Sequence, residues 1–369
     1  MRTRYLGLGL SAVVLLAGSL GYVLVGTHLY QRYHLAYANY QFAPAGPCGA
    51  LVAWSPPRTV YTGLYINTPA LLTLRYSSPQ PQTLRITVGI PRFTQDESVE
   101  VQAAEAFQQR AFKPPLQDGA ALNGLSGIGA GDRAGQIHLR VQGSAGAACD
   151  VTVPVTLKSA EWMHWYDGTA STDNSPLLAG WVTPHAPAIS QLIGRTAAWM
   201  KQHPESYAGT PALFGYDGGR AASTDVVNQV NALFDTLQSV YHVYYAQDNV
   251  PYSVDAAQRI QLPQEVLSAA FPTGMCVETT AILASAVEAL GMRAYFIIIP
   301  GHAFLGVALG DQPGAPIEYW ETSDLNGGIS GSQANVHGDA EHAENLAAGK
   351  ILRVIDVAYE RQQGIQPID

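Results

Sequence analysis

The chain has 369 residues, 47% of them apolar and only 13% charged, with 36 glycines, 23 prolines and a net charge of −9. That length suffices for two domains beside any anchor, and the glycine and proline content points to many turns. The acidic balance, with no basic stripe interleaved with aromatics, argues against nucleic acid as a partner.

Arg2 and Arg4 precede an uncharged stretch from Tyr5 to Gly26. About 20 helical residues cross a bilayer core, so residues 1–26 are expected to form a cytoplasmic tip and a transmembrane helix. Basic residues on the short side predict that this end stays in the cytoplasm. The chain is then a single-pass protein of the inner (cytoplasmic) membrane whose later domains are periplasmic. A cleaved leader has a shorter apolar region with a small-x-small site close behind it. Here Ala36-Tyr37-Ala38 lies well past the run, which favours an uncleaved anchor. The tyrosine-rich residues 27–45 read as a stalk.

Residues 46–158 carry a period-two apolar pattern. Leu72, Leu74 and Tyr76 alternate with polar partners, as do Leu84, Ile86, Val88 and Ile90. Ile137, Leu139 and Val141 repeat the pattern, followed by Val151, Val153, Val155 and Leu157. Such runs between turn residues indicate strands buried on one face, and several short antiparallel strands favour a β-sandwich of Ig-like type. The glycine-rich segment Gly124 to Gly135 lacks both the G-x-G-x-x-G spacing and a strand-to-helix context, so it reads as a loop, not a nucleotide site.

Cys48 and Cys149 bracket this domain and Cys276 stands apart. In an exported protein the first two suit a disulfide tying the ends of the domain, the alternative being two buried free thiols. An odd free thiol in an oxidising compartment needs a reason to persist, and catalysis is one.

Residues 159–369 read as a second, α+β domain. Trp162, Trp165 and Trp181 suit packing between domains. Helical spacing follows from Pro187 to His203 (Ile189, Leu192, Ile193, Ala197, Met200) and from Asp225 to Tyr245 (Val227, Val230, Leu233, Phe234, Leu237, Val240). Pro272 and Thr273 mark the start of a further helix and Gly291 its end. Its face is apolar (Ile282, Leu283, Ala286, Val287, Leu290), with Glu278, Ser285 and Glu288 as a narrow polar strip. Cys276 falls in the first turn, where unpaired N–H groups and the positive dipole end favour a thiolate and can receive an oxyanion. A buried strand from Arg293 to Ile299, a turn at Pro300-Gly301, a strand from His302 to Leu309 and a third from Ile317 to Thr322 follow. A helix carrying Cys packed on an antiparallel sheet can bring Cys276, His302 and Glu321 together as nucleophile, base and orienter. Each residue has a bland reading as a buried thiol, a structural histidine and a solvated carboxylate. No C-x-x-C or H-x-x-x-H spacing supports a metal, and the pattern calls for no cofactor.

The stretch Gln258-Arg259, Pro263-Gln264-Glu265-Val266-Leu267, Gly274-Met275-Cys276, Ala289-Leu290-Gly291-Met292-Arg293, Pro300-Gly301-His302-Ala303-Phe304 and Trp320-Glu321-Thr322 resembles the transglutaminase-like core, which shares its architecture with papain-like cysteine proteases. The resemblance covers residues 258–322 closely. Segment 160–257 and the tail from Val354 to Pro367 are similar to a bacterial subgroup. It implies Cys276 as nucleophile, His302 as general base and acid, and Glu321 as orienter. The usual family orienter is Asp, so Glu321 points to a subgroup in which Glu-Thr takes that place, with Asp324 as the fallback. A side-chain oxyanion donor often lies upstream of the nucleophile, and Gln258 is the candidate, with Gln264 behind it. The implied activity is acyl transfer on amide bonds of peptides or proteins through a thioester. The acyl group leaves to water (protease or amidase) or to an amine (transamidase), and location alone suggests cell-wall peptides or envelope proteins as substrates. The alternative is a non-catalytic, membrane-anchored envelope binding or scaffold module.

Overall fold

The computed structural model describes residues 52–54, 56–68, 70–78, 80–117, 132–146, 148–167, 172–247 and 257–368. The transmembrane helix and stalk expected over residues 1–45 fall outside them, as does Cys48. Among the described residues no helix is long and apolar enough to cross a membrane. The expected fold class is corrected accordingly: the described chain is a mixed α+β fold without a membrane-spanning helix.

The first part runs through β1 (Val52–Trp54), β2 (Thr59–Tyr61), a helical turn α1 (Thr62–Tyr65), β3 (Leu72–Tyr76), β4 (Gln82–Gly89), β5 (Glu97–Ala103), β6 (Gln108–Phe112), β7 (Arg133–Gly143) and β8 (Ala148–Lys158). One sheet is ordered β2-β8-β7-β4-β5 and a second β1-β3-β6. Alternation does the sorting: Leu72, Leu74, Leu84, Ile86, Val88, Ile137, Leu139 and Val141 point into one shared apolar core. The sequence pattern suggests an Ig-like sandwich antiparallel throughout. Instead β2 runs parallel to β8, with Thr59 opposite Thr156 and Tyr61 opposite Lys158. Both strands thereby leave the sheet at the end where the chain meets the second part. Tyr61 stacks on His164 at 5.1 Å, Thr62 Oγ1 donates to the Lys158 carbonyl at 2.8 Å, and Leu64 joins the core of the second part. Gly63 makes this approach possible, since a Cβ there would meet the Ala160 carbonyl oxygen at 2.1 Å.

The second part contains β9 (Trp162–His164), β10 (Tyr166–Asp167), β11 (Thr172–Asp173), α2 (Pro187–Gln202), α3 (Ser223–Ser239), β12 (Tyr244–Tyr245), β13 (Ala257–Arg259), α4 (Pro263–Ser268), β14 (Thr273–Gly274), α5 (Cys276–Ala289), β15 (Ala294–Ile299), β16 (His302–Ala308), β17 (Ile317–Trp320), α6 (Gly331–Ala347), β18 (Arg353–Asp356) and α7 (Val357–Gln362). Its main sheet is antiparallel in the order β17-β16-β15-β18. Phe296, Ile298, Leu305 and Val307 on one face share a core with Ile282, Leu283 and Val287 of α5, Ile189 and Leu192 of α2, and Val230 and Phe234 of α3. Burial of each such aliphatic side chain stabilises the fold by roughly 1.5–3 kcal/mol.

Three sequence expectations shift. The expected polar strip on α5 is only partly internal: Ser285 is fully buried and its hydroxyl accepts from Thr183 N, half-buried Glu288 pairs with Arg361, and buried Glu278 caps the helix. The helix expected from Asp225 to Tyr245 spans Ser223–Ser239, because the β-branched and aromatic run after it favours an extended chain and becomes β12. The helix expected from Thr273 starts at Cys276, since Thr273–Gly274 pairs in parallel with β12.

Candidate active site

Cys276 is the first residue of α5, 8% exposed, and its thiol is free. Two neighbours fix the helix start. Glu278 reaches back so that Oε2 accepts from Met275 N at 2.8 Å and Oε1 from Gln261 N at 2.6 Å. Burial pushes the Glu278 carboxyl up from its ordinary value despite these bonds. Thr279 Oγ1 donates to the Met275 carbonyl at 3.0 Å. The first N–H groups of the helix have no intrahelical acceptor.

His302 opens β16 because Pro300 and Gly301 turn the chain between paired Ile299 and His302. Gly301 takes φ +74°, the left-handed position that a proline–glycine type II turn requires. The His302 side chain is 20% exposed. Its Nε2 lies 2.9 Å from both Glu321 oxygens, and Cys276 is near enough to bias its protonation. With Nε2 facing the carboxylate, Nδ1 is the ring atom left for sulfur. Burial disfavours the imidazolium, but the Glu321 carboxylate that accepts from the ring and the neighbouring Cys276 sulfur outweigh it and push His302 up to about 10.

Glu321 follows β17 and caps the 3-10 turn Thr322–Asn326, Oε1 accepting from Ser323 N at 2.8 Å. Its own N–H donates to the Ala334 carbonyl of α6 at 2.9 Å. Burial works to raise this carboxyl, yet His302 and Ser323 together hold it below the ordinary value. The next residue, Thr322, is fully buried and donates to the Cys276 carbonyl at 3.3 Å, while its hydroxyl meets Thr280 Oγ1 at 3.1 Å. Glu-Thr thus does two jobs: one side chain orients the imidazole, and the other clamps the start of the nucleophile helix to the same turn.

Gln258, on β13, is 7% exposed. Trp165 Nε1 donates to its Oε1 at 2.9 Å, which aims the amide NH₂ at Met275 Sδ, 3.4 Å away, beside the nucleophile. Gln264 is elsewhere: it accepts from Ala188 N, capping α2, and donates to Ser268. Asp324 is also accounted for, since its Oδ2 lies 2.6 Å from His337 Nδ1. Among the described residues no cluster of three or more His, Cys, Asp or Glu side chains could hold a metal ion. Cys149 is disulfide-bonded, and its expected partner Cys48 lies outside the described residues.

Tyr245 is the residue that sequence reasoning missed. Its register opposite Gly274 sets it beside the strand that leads into Cys276. Burial, then the charges of Cys276 and Glu321, push its hydroxyl up to about 12, so it remains a proton donor. The run Val240-Tyr241-His242-Val243-Tyr244-Tyr245 held the signal, six residues of strand preference read as the end of a helix.

The site therefore brings together a free thiol at a helix start, an imidazole held by a carboxylate, and a buried amide beside Met275. No known protein family, curated protein or solved structure matches this chain.

Proposed function

We propose that this chain is a transglutaminase-like cysteine enzyme that transfers acyl groups from amide bonds of peptides or proteins through a thioester. The observation that carries the reading is His302 Nε2 held 2.9 Å from both oxygens of Glu321, with Cys276 among the groups that bias its protonation. Its physical content is an imidazolium stabilised next to a thiol in a largely buried setting. The disulfide-bonded Cys149 supports an oxidising compartment outside the cytoplasm, where peptide or envelope-protein substrates would be met.

In the proposed reaction the Cys276 thiolate attacks the amide carbon. The oxyanion that forms is received by first-turn N–H groups of α5 and the Gln258 amide. His302 then gives its proton to the leaving amine as the C–N bond breaks, and a thioester remains. Water or a second amine attacks the thioester, His302 takes the incoming proton, and the sulfur leaves as thiolate. Glu321 keeps one ring orientation through both steps and does not itself change protonation.

Intact-mass spectrometry of the full chain, incubated with a library of peptide amides, tests this. The expected result is an acyl adduct on Cys276 that decays in the wild-type protein and is absent in Cys276→Ala. Turnover by Cys276→Ala at the wild-type rate would sink the proposal.

A further inference from the structure

The segment that carries Glu321 leaves the sheet after Trp320 and re-enters a helix at Gly331, the first residue of α6. Polar side chains of α3 meet both ends of it. Asn231, 6% exposed, accepts from Trp320 Nε1 at 2.8 Å through its Oδ1. Asp235 Oδ1 accepts from Gly331 N at 2.7 Å, and Gln238 Nε2 donates to the Ile329 carbonyl at 3.1 Å. Positions 231, 235 and 238 fall on one face of a helix, so a single stripe of α3 receives the start and the end of the segment. The stripe runs beside Val230, Leu233, Phe234 and Leu237, all fully buried. An amide such as Asn231 is unfavourable in that setting unless it is bonded, and its bond goes to the residue next to Glu321.

We propose that Asn231, Asp235 and Gln238 are positioning residues for Glu321, a clamp on α3 that sets how far its carboxylate reaches toward His302. The inference rests on the acyl-transfer reading above, which gives Glu321 its orienting role. The coupling is short. Trp320, fully buried, directly precedes Glu321. At the other end Gly331 packs against the Asn231 backbone, and a Cβ there would meet the Asn231 carbonyl oxygen at 2.5 Å and its Cα at 2.6 Å. That approach fixes where α6 begins. One turn on, α6 grips the same segment: the Ala334 carbonyl accepts from Glu321 N at 2.9 Å, and Asn335 Nδ2 donates to the Tyr319 carbonyl at 3.0 Å. Tyr207 donates to Asp235 Oδ2 at 2.6 Å and steadies that carboxylate from behind.

Small displacements matter here. Both Glu321 oxygens stand 2.9 Å from His302 Nε2, and a retreat of about 1 Å takes them past hydrogen-bond reach. The bland reading is that Asn231 only satisfies a buried indole. The two readings part on one point: a clamp acts on the histidine, whereas a partner for the indole acts on stability alone.

Asn231→Leu combined with Trp320→Phe separates them, because it removes the hydrogen bond and leaves neither partner unsatisfied. The full chain is titrated by histidine ¹³C NMR, with His302→Ala identifying the resonance, and unfolded in denaturant. Cys276 and Glu321, the groups that raise His302, are untouched by the double substitution. The His302 midpoint should fall by about 1 pH unit, a tenfold loss of preference for the imidazolium, while the unfolding midpoint stays near that of the wild type. An unchanged His302 midpoint in the folded double variant overturns the proposal. Gln238→Leu, which frees the Ile329 end from a half-buried position, should shift the midpoint in the same direction by less and decides the matter if the double variant fails to fold. A wild-type midpoint near 6.5 also overturns the proposal, since Glu321 would then hold no imidazolium to position. Acylation of Cys276 by the peptide amides is recorded in parallel. A chain that never acylates, yet shows the expected shift, overturns the acyl-transfer reading and leaves the clamp standing.

Discussion

Replacing Glu321 by Gln isolates the largest electrostatic claim about the site. The imidazole of His302 sits at about 10 instead of 6.5, a preference for the charged form of roughly 5 kcal/mol. The carboxylate, with both oxygens 2.9 Å from Nε2, and the thiol share that preference against burial. An amide of the same shape keeps a hydrogen bond but removes the charge. About half the preference should go with it, lowering the His302 midpoint by roughly 2 pH units. A histidine ¹³C titration by NMR, with His302→Ala identifying the resonance, reads this directly and needs no substrate. The same sign governs stability. A histidine raised in the folded state contributes stability fully below about 6.5, and that contribution is lost as pH rises through about 10. Glu321→Gln should therefore lose stability most at acid and neutral pH and converge on the wild type above pH 10. A wild-type His302 that titrates near 6.5, or a midpoint that Glu321→Gln leaves in place, would refute the reasoning.

On the proposed mechanism Gln258→Ala should lower kcat by about 10²-fold with little change in KM, because there the amide acts only when the oxyanion forms; a loss confined to KM would remove it from that role. Thr322→Val removes the donor to the Cys276 carbonyl and the partner of Thr280, and should cost about 1–3 kcal/mol in denaturant unfolding. Gly338→Ala places a Cβ 2.5 Å from the Tyr319 carbonyl carbon, so α6 must shift off β17; a destabilisation of about 1–3 kcal/mol is expected, and a neutral effect would contradict the close approach.

Legibility in the sequence followed the strength of the local signal. Alternation over Leu84, Ile86 and Val88 and over Ile137, Leu139 and Val141 is a one-dimensional code for which face is buried, and it survives folding intact. Pairing direction carries no such code. Nothing in Thr59-Val60-Tyr61 distinguishes a parallel neighbour from an antiparallel one, and contact with the second part decides it. Cys276, His302 and Glu321 were readable because a helix start, a two-residue turn and a strand end each fix one of them. Their meeting was not, since it depends on the β15–β16–β17 register. Tyr245 was missed for the opposite reason. Its neighbours Val240 and Leu237 fit a helical face, and only pairing with Thr273–Gly274 makes it extended.

The proposed orienting role of Glu321 depends on where the backbone lies. Glu321 stands at the head of a 3-10 turn, its N–H held by Ala334 and its Oε1 by Ser323 N. From that anchored position the carboxylate still reaches His302 Nε2 with both oxygens. An aspartate would be shorter by one carbon–carbon bond, about 1.5 Å, and from a turn held in place it would stop short of the histidine. Asp324 offers no relief three residues on, because its carboxylate faces His337. Glu321→Asp should thus resemble Glu321→Gln in its effect on the His302 midpoint despite retaining the charge. A midpoint unchanged by Glu321→Asp would mean that the turn is free to move toward the imidazole, and the clamp from Thr322 to the Cys276 carbonyl would then not be holding it.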